Sequence, residues 1–231
     1  MSFLWIDIET LPPEEMPPIE DVPIPGNLKK PETIAEYQKA NQEKAWRDMA
    51  LSSISGRVCC VSWAVGNAPA VCRGIWEKSE VEILDELNSV VQDLAIDERK
   101  VHWAGFNLQS FDLNWLWHRA IKYDLAALSD YIPRERYPRN LLDVRSLWTG
   151  GDTYGKGKLK EIAVFLGMPI IEGMDGGEVL DKFIAKDFDT ISRYCRYDVE
   201  LTRQIAWRMG AGNPPAKYPG IVELYNQLVA A

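Results

Sequence analysis

Four carboxylates in three separated stretches of the sequence are the residues best suited to do chemistry. They are Asp7, Glu9, Asp112 and Asp198. Carboxylates that converge on one point repel one another unless cations lie between them. If the fold brings these stretches together, the set predicts a site for divalent metal ions.

The first two acids lie in a stretch that is typical of a buried strand. Phe3–Ile8 is mostly apolar and includes β-branched and aromatic residues. Side chains two residues apart in a strand project from the same face. We therefore expect Asp7 and Glu9 to be neighbours at the C-terminal end of a central strand, the end that borders the ligand crevice in open α/β sheets.

The other two acids fall on predicted helices. Val101–Phe106 predicts another strand, and an apolar stripe over 113–121 predicts a helix that follows it. Asp112 should therefore begin a helix beside the same crevice. Tyr194 and Asp198 are four residues apart in the last long helical stretch, so they should share one helix face.

Such a set of ligands favours phosphoryl-transfer chemistry. Mg²⁺ and Mn²⁺ prefer oxygen ligands and retain several waters. Two such ions can activate a water and stabilise the leaving oxygen of an in-line displacement. Because a phenol with a pKa near ~10 is a poor base at neutral pH, the Tyr194 hydroxyl is predicted to orient the attacking water.

Each fragment alone also has a purely structural interpretation. Asp7 with Glu9 could form a turn or a cap, and Asp112 could be an acid favoured by the dipole of the first helical turn. Tyr194 and Asp198 could form a hydrogen-bonded surface pair. Their joint occurrence, in this order and on these elements, favours the catalytic interpretation.

The organisation of the chain predicts a three-layer α/β domain with a mixed sheet. Its 231 residues suffice for one domain with a substantial core, and residues 56–75 have the pattern of a β-hairpin. Strand and helix patterns then alternate, with no sign of a second domain. Residues 11–50 form a long insertion, rich in proline at first and then helical over Pro31–Ala50, which we expect to cover the crevice and guide a strand.

The formal net charge of −8 argues against non-specific binding to duplex nucleic acid. Bound metal ions would neutralise several of the acids. Two local clusters of basic residues could also contact phosphates, although a solvated loop is an equally good interpretation. The clusters are Arg134, Arg136 and Arg139, and Lys156, Lys158 and Lys160.

Cysteine usage and hydropathy indicate a cytoplasmic protein. The four cysteines include no Cys-x-x-Cys pair, and the sequence has only two histidines, so small buried thiols are expected rather than a zinc site. No apolar run approaches the roughly 20 residues of a membrane span. The N-terminal apolar stretch is too short for a signal peptide and has no basic lead.

These motifs resemble the 3′–5′ exonucleases of the DEDD family, which belong to the ribonuclease H-like (DnaQ-like) superfamily. Asp7-Ile8-Glu9-Thr10 resembles the first exonuclease motif, Asn107–Asp112 the second, and Tyr194–Asp198 the third. The tyrosine four residues before the last aspartate points to the tyrosine subclass, because the histidine subclass would place a histidine where this chain has Arg193. The resemblance extends to phage and bacterial stand-alone members and to polymerase-B-like exonuclease domains.

The resemblance implies a role for each motif residue. Asp7, Glu9 and Asp198 would bind one Mg²⁺ or Mn²⁺ ion, and Asp7 would also bind a second, with Asp112 acting on that ion directly or through a water. Together with Tyr194, these four acids would form the catalytic set. The implied contacts to the 3′-terminal nucleotides are Ile8, Thr10, Leu11, Asn107 and Phe111.

The resemblance further implies release of nucleoside 5′-monophosphates from the 3′ end of single-stranded or frayed DNA. Trimming of RNA 3′ ends is an alternative, because recognition of a 2′-hydroxyl is not visible in the sequence. The chain could also serve as a proofreading partner of a polymerase on a separate chain, or as a non-catalytic nucleic-acid-binding module. Retention of all four acids and the tyrosine argues against a non-catalytic module.

Overall fold

The central sheet of the protein is mixed and five-stranded, as seen in a computed structural model that describes residues 2–98, 100–152, 155–171 and 174–213. The strands are β1 (Phe3–Leu11), β2 (Arg57–Val65), β3 (Val71–Gly74), β4 (His102–Gly105) and β5 (Leu141–Asp143). Their order across the sheet is β3-β2-β1-β4-β5. β1 is the middle strand, antiparallel to β2 and parallel to β4, which confirms the predicted central position of the first motif.

Helices cover both faces of this sheet. The helices of the described residues are α1 (Pro31–Asp48), which packs within the insertion, and α2 (Glu80–Glu98), α3 (Asp112–Lys122), α4 (Ala126–Tyr131), α5 (Val144–Trp148), α6 (Leu159–Phe165), α7 (Val179–Ile184) and α8 (Phe188–Arg208). One core packs α2, α3 and α4 against the sheet, and others pack α5, α6, α7 and α8 on the opposite face. The predicted three-layer α/β architecture is thereby confirmed.

Side chains along β1 point alternately to the two faces of the sheet, and this decides which helices each of them contacts. Leu4, Ile6 and Ile8 belong to the core beneath α2 and α3, whereas Trp5 and Leu11 belong to the cores on the α8 face. Since successive strand residues point to opposite faces, the two acids between Trp5 and Leu11 lie on the side that α8 covers.

The strand that carries the first motif is longer than the sequence pattern indicates. β1 continues three residues beyond the predicted end at Ile8, because Thr10 and Leu11 still pair with β2. The register shifts between Glu9 and Thr10, whose partners are Cys60 and Val58. Cys59 is therefore an extra residue in β2, a bulge of the kind that often lies beside functional sites.

The sequence pattern misses one strand altogether. Residues 141–143 form β5, in a part of the chain that is predicted to be mainly helical. This strand pairs only with β4, over Trp103–Gly105, and runs directly into α5. Three residues are too few to establish an alternating pattern, so the sequence offers no periodic signal for β5.

The insertion at residues 11–50 is folded back on itself. Its predicted helix is α1, followed by a short 3₁₀ turn over Met49–Leu51. The Gln38 side-chain amide donates to the carbonyls of Glu20 and Val22 (3.0 and 3.1 Å), and the Trp46 indole N–H donates to the Pro13 carbonyl (2.8 Å). Residues 214–231, which the predicted single domain includes, lie outside the described residues.

Candidate active site

Three of the four predicted acids converge on the α8 face of the sheet. Each of Asp7, Glu9 and Asp198 offers a carboxylate oxygen, and these oxygens all lie within 4.8 Å of one another. β1 supplies the first two on one strand face, and α8 packs across β1 to supply the third. The geometry therefore brings these residues together as the sequence leads us to expect.

Asp112 approaches the same point from the other side of β1. The parallel pairing of β1 with β4 extends only to Trp5 and Ala104. Further along β1, the backbone N–H of Ile8 donates to Asp112 Oδ1 at 3.0 Å. Asp112 is the first residue of α3, as predicted, and it lines one cleft together with Asp7.

Tyr194 lies beside the acids on the inner face of α8. Its hydroxyl is hydrogen-bonded to the Asp198 carboxylate one helical turn away. The Lys160 ammonium lies 5.5 Å from the centre of the tyrosine ring. Burial, followed by the charges of Asp198, Glu9 and Asp7, raises the pKa of Tyr194 far above its usual range, so its hydroxyl keeps its proton at neutral pH.

The acids themselves are strongly perturbed. Burial, followed by the charges of neighbouring carboxylates, raises the pKa of Asp7 and of Glu9 well above the usual range. Burial raises the pKa of Asp112 to about 8, although the Ile8 amide works in the opposite direction. Burial also raises the pKa of Asp198 to about 7, opposed by the Tyr194 hydrogen bond and by the charge of Lys160.

Protein cations do not neutralise this cluster. Among the residues that the structure describes, no lysine, arginine or histidine nitrogen lies within 4.0 Å of a carboxylate oxygen of these four acids. Their pKa values are raised chiefly by burial, which an ion pair with a protein cation would oppose. A set of buried donors made up only of carboxylate oxygens fits hard divalent cations such as Mg²⁺ and Mn²⁺.

A cleft of about 680 Å³ is lined by two of the four acids, Asp7 and Asp112, whereas Glu9 and Asp198 lie behind Asp7 and are not part of its lining. Its walls combine aromatic rings, basic side chains and the glycine-rich segment that precedes α6. The lining residues are Asp7, Ile8, Phe106, Asn107, Phe111, Asp112, Arg145, Gly155, Lys156, Gly157, Lys158, Leu159 and Glu161. Two of the predicted phosphate-contact lysines therefore lie in this cleft, and within the described residues its lining includes none from the insertion.

The five predicted substrate contacts divide into two groups. Ile8, Asn107 and Phe111 line the cleft. Thr10 instead donates its hydroxyl to the Ala50 carbonyl at 2.6 Å, and Leu11 is fully buried in the core next to α8. The structure therefore places these last two side chains away from the cleft.

Sequence reasoning misses the roles of three residues that contact the site. The Arg145 guanidinium donates to Asn107 Oδ1 at 3.0 Å and holds that side chain in the cleft. The Cys195 thiol lies 3.3 Å from Asp7 Oδ2 and donates to it. Lys160, which the sequence assigns only to a basic cluster, packs over Tyr194. Lys160 follows Lys158 by two residues, which indicates a basic segment. Nothing in the sequence indicates that Arg145 or Cys195 contacts the site.

The fold and the site together define an exonuclease-type α/β domain. Residues 70–209 match a family described as a predicted 3′–5′ exonuclease related to the exonuclease domain of PolB. The chain belongs to this family. The matched region contains the second and third motifs, with Asp112, Tyr194 and Asp198, and begins after the strand that carries Asp7 and Glu9.

A solved structure supports the fold assignment. The family B DNA polymerase from the hyperthermophilic archaeon Pyrobaculum calidifontis matches this chain with a TM-score of 0.57 and 14% sequence identity. The match covers 90% of this chain and 24% of the polymerase, so this chain spans about a quarter of the polymerase's length. No curated protein sequence matches this chain significantly. Within the described part of the chain, every helix is too short or too polar to cross a membrane.

Proposed function

We propose that this protein is a metal-dependent 3′–5′ exonuclease that hydrolyses the terminal phosphodiester bond of single-stranded or frayed DNA. The observation that carries this proposal is the convergence of Asp7, Glu9 and Asp198 without a cation, beside Asp112. Nucleoside 5′-monophosphates would be released one at a time from the 3′ end.

The four acids would hold two Mg²⁺ or Mn²⁺ ions. Asp7, Glu9 and Asp198 would bind one ion, and Asp7 with Asp112 would bind the other. When bound, such ions lower the pKa of a coordinated water and stabilise the charge on the leaving oxygen. The Ile8 amide holds Asp112 Oδ1 at 3.0 Å and so fixes the position of this carboxylate beside β1.

Tyr194 would position the attacking water. Its pKa is raised, so the phenol stays protonated and acts through hydrogen bonding rather than as a base. The hydrogen bond to Asp198 and the packing of Lys160 over the ring hold the hydroxyl next to the acids. This corresponds to catalysis by placement of reacting groups.

The walls of the cleft suit a single strand. Phe106 and Phe111 offer aromatic faces on which bases can stack, and Lys156 and Lys158 offer charge for the backbone. Stacking and backbone contacts of this kind bind single strands with little sequence preference. The Arg145–Asn107 hydrogen bond keeps an amide oriented at the same wall.

The proposal is tested with an oligonucleotide labelled at its 5′ end. With Mg²⁺ or Mn²⁺, the purified protein should shorten it one nucleotide at a time, and EDTA should stop the reaction. Asp7→Asn should be inactive and should keep its fold by circular dichroism. A strand that keeps its full length after prolonged incubation with either ion would overturn the proposal.

Matched DNA and RNA strands then decide the substrate. We expect faster turnover of DNA, and faster turnover of RNA would instead favour the trimming alternative. Activity of the isolated chain on free strands would show that it does not need a polymerase partner, whereas activity only in the presence of a co-purifying polymerase would favour the proofreading alternative.

A further inference from the structure

Three buried thiols form a second cluster of metal-ligand atoms directly behind Asp7. The sulfur atoms of Cys60, Cys72 and Cys195 all lie within 4.8 Å of one another. Their residues are 0%, 9% and 0% exposed, and all are free cysteines. We propose that this thiol triad is a binding site for a thiophilic cation of the Zn²⁺ or Cd²⁺ class, which adjoins the carboxylate site at Asp7 but draws its three sulfur ligands from outside that site.

The sheet explains why the triad assembles although the sequence lacks Cys-x-x-Cys spacing. Cys60 pairs with Gly74, and Cys72 pairs with Ser62, so the two cysteines lie on one face of the β2–β3 hairpin. α8 packs on this face and brings Cys195 against them. Spacing rules for zinc sites assume that the ligands are close together in sequence, and here they come from three elements.

The dimensions of the triad fit direct coordination. Thiolate sulfurs bind Zn²⁺ at about 2.3 Å, so three of them around one ion are about 4 Å apart. The observed sulfur separations of at most 4.8 Å need only rotamer adjustments to reach that value. Each thiol would release its proton to solvent as it binds, since only the thiolate is a ligand.

A fourth ligand is also present. Asp7 Oδ2 lies 3.3 Å from the Cys195 sulfur. In a tetrahedral site with bonds of about 2.3 Å to sulfur and about 2.0 Å to oxygen, those two atoms would be about 3.5 Å apart. The triad with this carboxylate thus approximates the four-coordinate arrangement that Zn²⁺ prefers.

Small apolar packing is the alternative role for buried cysteines, and Cys59 provides the internal control. It is equally buried and belongs to the same core, yet it lies in the β2 bulge and outside the triad. If the thiols only fill space, Cys59 and the triad cysteines should respond to metals alike.

The test is a Cd²⁺ titration of the reduced, full-length protein with excess Mg²⁺ present to occupy the carboxylates. The readout is the ultraviolet charge-transfer absorption of cadmium thiolate. We expect one Cd²⁺ per chain with three thiolate bonds. Cys60→Ala, Cys72→Ala and Cys195→Ala should each weaken binding by roughly 10-fold or more, whereas Cys59→Ala should bind as the wild type does.

Two further measurements keep the outcome decisive. If an alanine variant fails to fold, the ¹¹³Cd chemical shift of the wild-type complex still separates a sulfur-rich site from an all-oxygen site. Asp7→Asn should retain the thiolate absorption, because the sulfurs dominate this site. Absence of a thiolate band in the wild type, or an all-oxygen ¹¹³Cd shift, would overturn the proposal. Neither result depends on whether the protein is a nuclease.

Discussion

Two buried carboxylates lie two residues apart on α8, and the fold compensates their charges in opposite ways. Glu200 forms an ion pair with Arg203 and accepts the backbone N–H of Ala70 at 3.0 Å. Asp198 has instead the Tyr194 hydroxyl and the neighbouring carboxylates of Asp7 and Glu9. One acid has a cation built into the protein, and the other has no ion pair among the described residues and belongs to the site we propose for metal ions.

The same contrast holds on the other side of the sheet. Glu80 is paired with Arg119, at 2.9 Å between Nε and Oε1, and it also accepts from the Tyr123 hydroxyl at 2.6 Å. Asp112 forms no ion pair within the described part of the chain and accepts instead from the Ile8 amide. Burying an acid without a cation is costly, so acids that lack an ion pair among the described residues favour the proposed metal site over a purely structural role.

Asp198→Asn gives the largest expected effect. The substitution keeps the shape of the side chain but removes the charge that a metal ion requires, so nuclease activity should fall on the order of 10³-fold. Release of nucleotides from a labelled strand measures the loss. Activity within a few-fold of the wild type would mean that this acid is not a metal ligand.

Glu200→Gln should lower the stability of the protein and leave its activity unchanged. Removing this acid leaves the buried Arg203 guanidinium without its partner and should cost about 3–5 kcal/mol in the free energy of unfolding. Activity per folded molecule should be unchanged, because Glu200 is not part of the carboxylate cluster of Asp7, Glu9 and Asp198. Chemical denaturation measures the change in stability, and a parallel assay measures the activity. A loss of activity without a loss of stability would contradict the distinction between Glu200 and Asp198.

Tyr194→Phe should have an intermediate effect. Loss of the hydroxyl removes the partner of Asp198 and the proposed anchor of the attacking water, so turnover should fall roughly 10- to 100-fold. The metal affinity should change little, since the acids remain. A lower affinity for Mn²⁺ with unchanged turnover at saturation would instead assign Tyr194 to metal binding.

The last predicted effect is on the pH dependence of stability without metal. The pKa of Asp198 is about 7 in the folded state and ~3.9 when unfolded. The folded state therefore binds the proton more tightly, and stability falls as pH rises from about 4 to about 7. Asp198→Asn lacks this group, so it should gain up to about 3 kcal/mol relative to wild type between pH 5 and pH 8 in EDTA.

Thermal unfolding of the two proteins across that range measures this gain. A wild-type protein whose metal-free stability rises with pH relative to Asp198→Asn would contradict the raised pKa. Adding Mn²⁺ at pH 8 should stabilise the wild type more than the variant, since a ligand that binds only the folded state raises its stability.

The sequence is sufficient to predict the parts of the fold and site that repeat a pattern. Apolar strands and helical stripes predict β1, β4, α3 and α8, and strand and helix periodicity places Asp7 with Glu9 and Tyr194 with Asp198. The fold class follows from the alternation of these elements, and the structure confirms it.

The parts that depend on three-dimensional packing could not be predicted. β5 is too short for a pattern, and the β2 bulge depends on pairing between strands distant in sequence. The contacts of Cys195 with Asp7 and of Arg145 with Asn107 depend on how α8 and α5 pack against the sheet. The Leu11 side chain lies in the core because β1 extends through this residue, which a strand ending at Ile8 does not indicate, and its contact with the 3′-terminal nucleotide stays a prediction.

A crystal structure of the protein soaked in Mn²⁺ and a nucleoside 5′-monophosphate tests the central claim most directly. Anomalous scattering from manganese would locate the ions independently of the protein atoms. We predict one ion bound by Asp7, Glu9 and Asp198 and a second bound by Asp7 and Asp112, with the nucleotide phosphate between them. Well-ordered acids at saturating Mn²⁺ without anomalous density beside them would contradict the account.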